Sequence, residues 1–264
     1  MRRFRQTIRL CRTALHVLVG SFAIRAAAAW DRLRGHPLHG GLARRVQARW
    51  CRKLCRILGM RVHVAGAALA EGPLLVVANH ISWLDIPVIA SHWGVGFLSK
   101  AEVRRWPLIG SAAAGLGTLF IRRGQRDAAA DAAAAIRERL RAGYRVLIFP
   151  EGTTGDGGGL LPFRPRLYQA ALDADAPVQI LAISYHHPDG TPCREVPFVG
   201  DESLLVNFLR IAALPGLEAR CGWALCSRAD MPRAPSWRGA PVSRSAFCSV
   251  MRRRKRQRSA APES

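Results

Sequence analysis

Two adjoining stretches constrain this chain most. RDAAADAAAAIRERLRAG, Arg126 to Gly143, is followed directly by YRVLIFP, Tyr144 to Pro150. Alanine is the best helix former, and a glycine just past the last turn closes a helix in the left-handed conformation. The second stretch is an apolar, β-branched run stopped by Pro150, which has no N–H to give a ladder. A strand that is apolar on successive residues is buried on both faces. A helix feeding such a strand is half of a βαβ unit. The same alternation surrounds it, with RVHVAG, LLVVAN, VGFLSK, GTLFIRR and VQILAISY reading as further strands. The expected fold class is therefore α/β, a mixed and mostly parallel sheet flanked by helices, with its domain at residues 59–220.

The flanks differ in kind. Residues 1–62 hold fifteen Lys/Arg and one acid, Asp31, and the whole chain carries +22. Such a field favours anionic partners. Residues 1–58 read as a basic, amphipathic, membrane-associating helical region broken near RGHPLHGG. Its second half spaces Leu42, Val46, Trp50, Leu54 and Leu58 four apart, an apolar helical stripe ended by Gly59. Its first half contains the uncharged run Thr13 to Ile24 between Arg12 and Arg25. As a helix that run is about 18 Å long against a hydrocarbon core of about 30 Å, too short to span. An interfacial helix with its arginines at the headgroups is the expectation; the alternative is a helix packed on the protein's own core. Cys51 and Cys55, four apart, suit one buried helix face better than a zinc site, and the seven scattered cysteines read as reduced thiols. Residues 221–264 are rich in Arg, Ser and Pro and read as a basic tail without regular elements.

Three places carry chemistry. In NHISWLD a strand ends at Asn79-His80, which puts the imidazole at the rim of the sheet. Asp85 can orient that ring and leave its other nitrogen to take a proton from a hydroxyl. Ser82-x-x-Asp85 also reads as a capping box with Asp85 at the third helical position, which needs no catalysis. In GTLFIRRG a short strand from Gly117 ends in Arg122 and Arg123, suited to phosphate or to a solvated strand end. In FPEGTTGDGGG a buried strand turns at Glu151-Gly152-Thr153 into a glycine-rich loop, and Gly152 allows close backbone approach. Glu151 either pairs with an arginine or meets a hydroxyl. Neither a G-x-S-x-G nucleophile elbow nor a P-loop is present.

In this order and spacing, the three blocks resemble the glycerolipid acyltransferase family, and more closely its 1-acyl-glycerol-3-phosphate branch. The H-x4-D block matches at His80 and Asp85, the G-x-x-F-I-x-R block at Gly117, Phe120, Ile121 and Arg123, and the F-P-E-G-T block at Phe149 to Thr153. The resemblance covers about residues 55–215. It implies that His80 is the general base, oriented by Asp85, on the sn-2 hydroxyl of lysophosphatidic acid. Substrate binding would fall to Arg123 on the phosphate, Gly117, Glu151, Gly152 and Thr153. The co-substrate would be a thioester of coenzyme A or acyl carrier protein, with no metal and no bound cofactor. Its partners would be membrane lipids and a lysophospholipid, at the cytoplasmic face of a bacterial inner membrane, through a peripheral or single shallow anchor. TTGDG after Glu151-Gly152 is similar to a bacterial subset that includes acyltransferases of lyso-ornithine lipids, so that acceptor stands as the alternative. A non-catalytic membrane- or nucleic-acid-binding protein rests on charge alone, and no nucleic-acid signature accompanies it.

Overall fold

The structure is a computed structural model, and it describes residues 2–35, 41–66, 71–122, 128–163 and 166–226. Its helices are α1 (Arg2–Leu33), α2 (Leu42–Ile57), α3 (Asp85–Ala90), α4 (Ile109–Gly115), α5 (Ala128–Arg141), α6 (Arg166–Asp173) and α7 (Leu204–Ala212). Its strands are β1 (Met60–Gly66), β2 (Leu74–Ala78), β3 (Gly96–Lys100), β4 (Leu119–Ile121), β5 (Arg145–Ile148), β6 (Val178–His186) and β7 (Leu217–Cys226). The seven strands form one sheet in the order β1-β7-β6-β2-β5-β3-β4. Neighbours are parallel except β6 and β7. The expected mixed, mostly parallel sheet is what forms.

Period-two alternation of an apolar strand builds the layers. Leu74, Val76 and Ala78 of β2 face one core with Leu54, Cys55, Val88 and Ile211, from α2, α3 and α7. Leu75 and Val77 face the other, with Ile136 and Leu140 of α5 and Ala170 and Ala171 of α6. β2 is therefore buried at every position, as a central parallel strand must be. From β2 the chain runs toward β3 on one side; from β5, its neighbour, it runs toward β6 on the other. A crevice opens outside the carboxyl ends of two strands whose connections diverge in this way.

The N-terminal region departs from expectation. The helix containing Thr13 to Ile24 is 32 residues long, so the 18 Å reading was too short. By length and composition α1 could cross a membrane. Its packing, however, runs along α2, α4 and the end of α7. Ile24, Ala27 and Ala28 close a small core with Ala43, Ala112 and Leu116. Trp50 donates its indole N–H to the His16 carbonyl at 2.9 Å and stacks on that ring. A side chain at Gly20 would collide with Trp50. Asp31, the lone acid of this region, accepts the Leu42 and Ala43 amides at 2.8 Å each and so caps α2 from a distance. Arg5 and Arg9 donate to the carbonyls of Ala212, Ala213 and Leu214 at the end of α7. The opposite face of α1 stays exposed and apolar, with Phe4, Ile8, Leu15, Leu18 and Phe22. The reading of a helix packed on the protein's own core is therefore met on one face of α1, and the other face is exposed and apolar.

Other differences are smaller. The expected stripe of α2 packs inward, with Leu54 and Leu58 buried and Leu42, Val46 and Trp50 partly so, and the buried face extends beyond it to Ala43, Arg44, Gln47, Cys51 and Cys55. Arg44 donates to the carbonyls of Val95 and Leu116, and burial lowers its pKa to about 10. Gly59 does end the helix, at φ +73°. The boundary at 220 is overturned, because β7 runs through the CGWALC expected to lack structure. Leu217, Ala219, Cys221 and Trp223 point into the core while the backbone pairs with β1 and β6. The rest of the expected tail, 227–264, lies outside the described residues.

Candidate active site

Two strand ends meet in the crevice. β2 delivers Asn79 and His80; β5 delivers Phe149, Pro150 and Glu151. Asn79 is buried and bonds both backbone groups of Ile183 in β6, accepting its amide at 2.7 Å and donating to its carbonyl at 3.0 Å. This replaces ladder bonds where β2 stops, and it fixes the chain one residue before the histidine.

His80 Nδ1 lies 2.7 Å from Asp85 Oδ2. The same oxygen accepts the amides of Ile81 at 2.7 Å and Ser82 at 3.0 Å. Oδ1 accepts the Tyr185 hydroxyl at 2.7 Å. Asp85 has no exposure, so its carboxylate is held by donors alone. A carboxylate surrounded by donors puts the proton on His80 Nδ1 and leaves Nε2 with a free lone pair. Burial, and next the charge of Asp85, push the Tyr185 phenol well above its ordinary pKa, so it remains a donor.

The capping reading also survives in part. Asp85 takes the Ser82 amide, which is the return half of a capping box, but it occupies the first position of α3 and not the third. The Ser82 hydroxyl only approaches the Leu84 amide, at 3.4 Å. One carboxylate therefore starts the helix and orients the ring.

The imidazole stacks on Phe149, with centroids 3.9 Å apart and planes 10° apart. The side chain keeps 19 % of its surface, open toward solvent at the rim. Glu151 accepts the His80 amide at 2.8 Å and the Leu161 amide at 2.9 Å. Burial raises its pKa, and those two amides oppose the rise. Glu151 thus joins the histidine turn to the far end of the glycine-rich loop. The His80 carbonyl in turn accepts the Gly155 amide at 2.8 Å. Gly152 sits at φ +73° in the turn between them, where a side chain is strained, and Thr153 is exposed beside it.

The arginine block is placed differently. Arg123 lies outside the described residues. Arg122 follows β4 and is exposed. Lys100 pairs in register with Ile121, so Lys100 and Arg122 stand at the same rim as His80. Gly117 does not. It lies two residues before Leu119, which pairs Leu98; two residues before Leu98, Gly96 pairs Val146, and Val146 pairs Leu75. Gly117 is therefore level with Leu75, at the opposite rim, where it shapes the start of β4 at φ +75°.

Sequence reasoning missed Asn79 and Tyr185 as members of this site. A hydroxyl-bearing residue two after the buried Ile183 on an apolar strand was the available signal for Tyr185. For Asn79 it was a buried amide at a strand end.

Comparison with known proteins gives the family and the fold. The acyltransferase family model matches residues 59–184. The chain is 45 % identical over 188 residues to the lyso-ornithine lipid O-acyltransferase of Pseudomonas aeruginosa, covering 70 % of this chain and 71 % of that one. It is 37 % identical over 147 residues to the 1-acyl-sn-glycerol-3-phosphate acyltransferase of Neisseria meningitidis, 56 % of this chain and 57 % of that one. Its fold matches the crystal structure of the 1-acyl-sn-glycerophosphate acyltransferase PlsC from Thermotoga maritima over the full length of both chains. The TM-score there is 0.63 at 20 % identity.

Proposed function

The chain belongs to the acyltransferase family, and from that premise we propose that it moves a fatty acyl group from a thioester of coenzyme A or acyl carrier protein to a lysolipid hydroxyl, with His80 as general base. The observation that carries this is the 2.7 Å contact of His80 Nδ1 with the donor-saturated, buried Asp85. Nε2 takes the hydroxyl proton as the hydroxyl oxygen attacks the thioester carbonyl. The C–S bond then breaks, and the imidazolium returns the proton to the leaving thiolate. Asp85 stabilises the imidazolium between those steps. Phe149 holds the ring plane, and Glu151 holds the turn that carries it.

The acceptor we favour is a lyso-ornithine lipid. The relative of that name shares more identity with this chain, over more of it, than the 1-acyl-sn-glycerol-3-phosphate relative does. Lysophosphatidic acid is the second reading, supported by the cationic rim of Lys100 and Arg122. Membrane lipids are the setting for either acceptor. The exposed apolar face of α1 lies in the bilayer interface while its other face stays on α2 and α4. The test is an acceptor panel with one acyl-CoA, comparing kcat/KM for the two lysolipids. At least tenfold preference for the ornithine lipid is expected. The reverse preference would transfer the assignment to lysophosphatidic acid, and failure with both would remove the reading.

A further inference from the structure

Beyond the end of β6, a second cluster of chemistry-bearing side chains lies outside the machinery described above. His187 Nε2 stands 3.3 Å from Glu195 Oε2, and Cys193 Sγ donates to the same oxygen at 3.3 Å. The three ligand atoms all lie within 4.8 Å of one another. We propose that His187, Cys193 and Glu195 form a binding site for a divalent transition-metal ion of the zinc type.

The geometry is the first ground. Zinc bonds to imidazole nitrogen, carboxylate oxygen and thiolate sulfur are about 2.0 to 2.3 Å, which places tetrahedral ligand atoms about 3.4 to 3.6 Å apart. Two of the separations, 3.3 Å each, fall just short of that, and the third, between His187 and Cys193, lies within 4.8 Å, so side-chain adjustment of this order admits an ion.

The ligand set is the second. One nitrogen, one sulfur and one oxygen select a borderline or soft cation over magnesium or calcium, which take oxygen alone. One thiolate and one carboxylate neutralise a divalent charge, a balance that suits a half-buried place. Cys193 is buried, while the His187 and Glu195 side chains keep 26 % and 39 % of their surface. That exposure leaves an approach for the ion and an open fourth position for water.

The third ground is preorganisation. The His187 amide donates to the Thr191 carbonyl at 2.8 Å and closes the turn between the ligands. The Cys193 amide donates to the Tyr185 carbonyl at 3.0 Å. The Glu195 carbonyl accepts Arg210 Nε at 2.9 Å. Each ligand-bearing segment is thus held by its backbone, independently of its side chain, as metal sites require. Cys51 and Cys55, read from the sequence as one buried helix face, do face the apolar core and offer no such mixed set.

An ion here would brace Tyr185 from behind, since Cys193 holds its carbonyl while its hydroxyl holds Asp85.

The test uses the full chain, reduced and metal-free in detergent, titrated with Co²⁺ and then with Zn²⁺. One equivalent of Co²⁺ is expected to give thiolate-to-metal charge-transfer absorption that Zn²⁺ removes. Cys193→Ser should abolish that band, and Glu195→Gln and His187→Ala should each weaken binding tenfold or more. Circular dichroism confirms that each variant folds. Absence of saturable Co²⁺ binding to the wild-type chain would overturn the proposal. So would a thiolate band that survives Cys193→Ser, because another cysteine would then be the ligand.

Discussion

Two parts of one sheet rim are built in opposite ways. At the β2–β5 corner the groups that hold the His80 ring and turn have named partners. His80 is held by Asp85 through its ring and by Glu151 and Gly155 through its backbone, and Asp85 is held by Tyr185. At the β3–β4 edge, β3 ends in exposed Lys100 and the half-buried, three-residue β4 is followed by exposed Arg122. The first region is assembled without substrate. The second offers charge without a fixed geometry. Proton transfer demands placement within a fraction of an ångström, whereas attraction of an anionic headgroup works over a Debye length of several ångströms.

Substitutions at the corner should act on turnover whatever the acceptor. His80→Ala should lower kcat by about 10²- to 10⁴-fold, the range of a lost general base, with KM little changed. A loss below tenfold in steady-state assays would break the contrast. Asp85→Asn comes next. It keeps the shape but puts an amide where three donors converge on one oxygen, so kcat should fall by about 10² or more and thermal stability should drop with it. Glu151→Gln should cost about tenfold in kcat, since one of the two amides it accepts must face an NH₂. Glu151 also links stability to pH. Its folded pKa is raised, so the folded state holds its proton more tightly. Stability should fall as pH rises from the ordinary carboxyl value through that raised one. Denaturant titrations across that window should show the slope in the wild type and a flatter profile in Glu151→Gln. Tyr185→Phe removes one bond to Asp85, worth about 1 to 2 kcal/mol to a charged acceptor, and should lower kcat by about tenfold or less. Arg122→Ala and Lys100→Ala should be smallest, raising KM a few-fold without touching kcat. Their effects should shrink in high salt, as exposed charges do.

Much of this was legible from residue order. The central strands announced themselves because burial on both faces needs unbroken apolar runs, and LLVVA and VLI have them. β7 was missed because its inward positions include Ala219 and Cys221, small residues that weaken an alternation otherwise present at Leu217 and Trp223. Its identity as a strand is settled by β1 and β6, whose pairing partners lie far away in the chain. The histidine and its acid were legible because they are five residues apart and share one turn. Tyr185 and the Ile183 backbone stand 100 and 104 residues from the groups they bind, and only the β2–β6 pairing brings them there. The same limit explains Gly117. Its block reads as one unit in sequence, yet a parallel strand sends its two ends to opposite rims.

The central claim is that Asp85 fixes His80 with its proton on Nδ1, so that Nε2 faces the acceptor. Nitrogen-15 spectra of the histidine side chains, with the His80 signal assigned by difference against His80→Ala, test it directly. At neutral pH the His80 ring is predicted to show a protonated Nδ1 coupled to one hydrogen and an unprotonated Nε2. A neutral ring protonated on Nε2, the form preferred in free imidazole side chains, would contradict it.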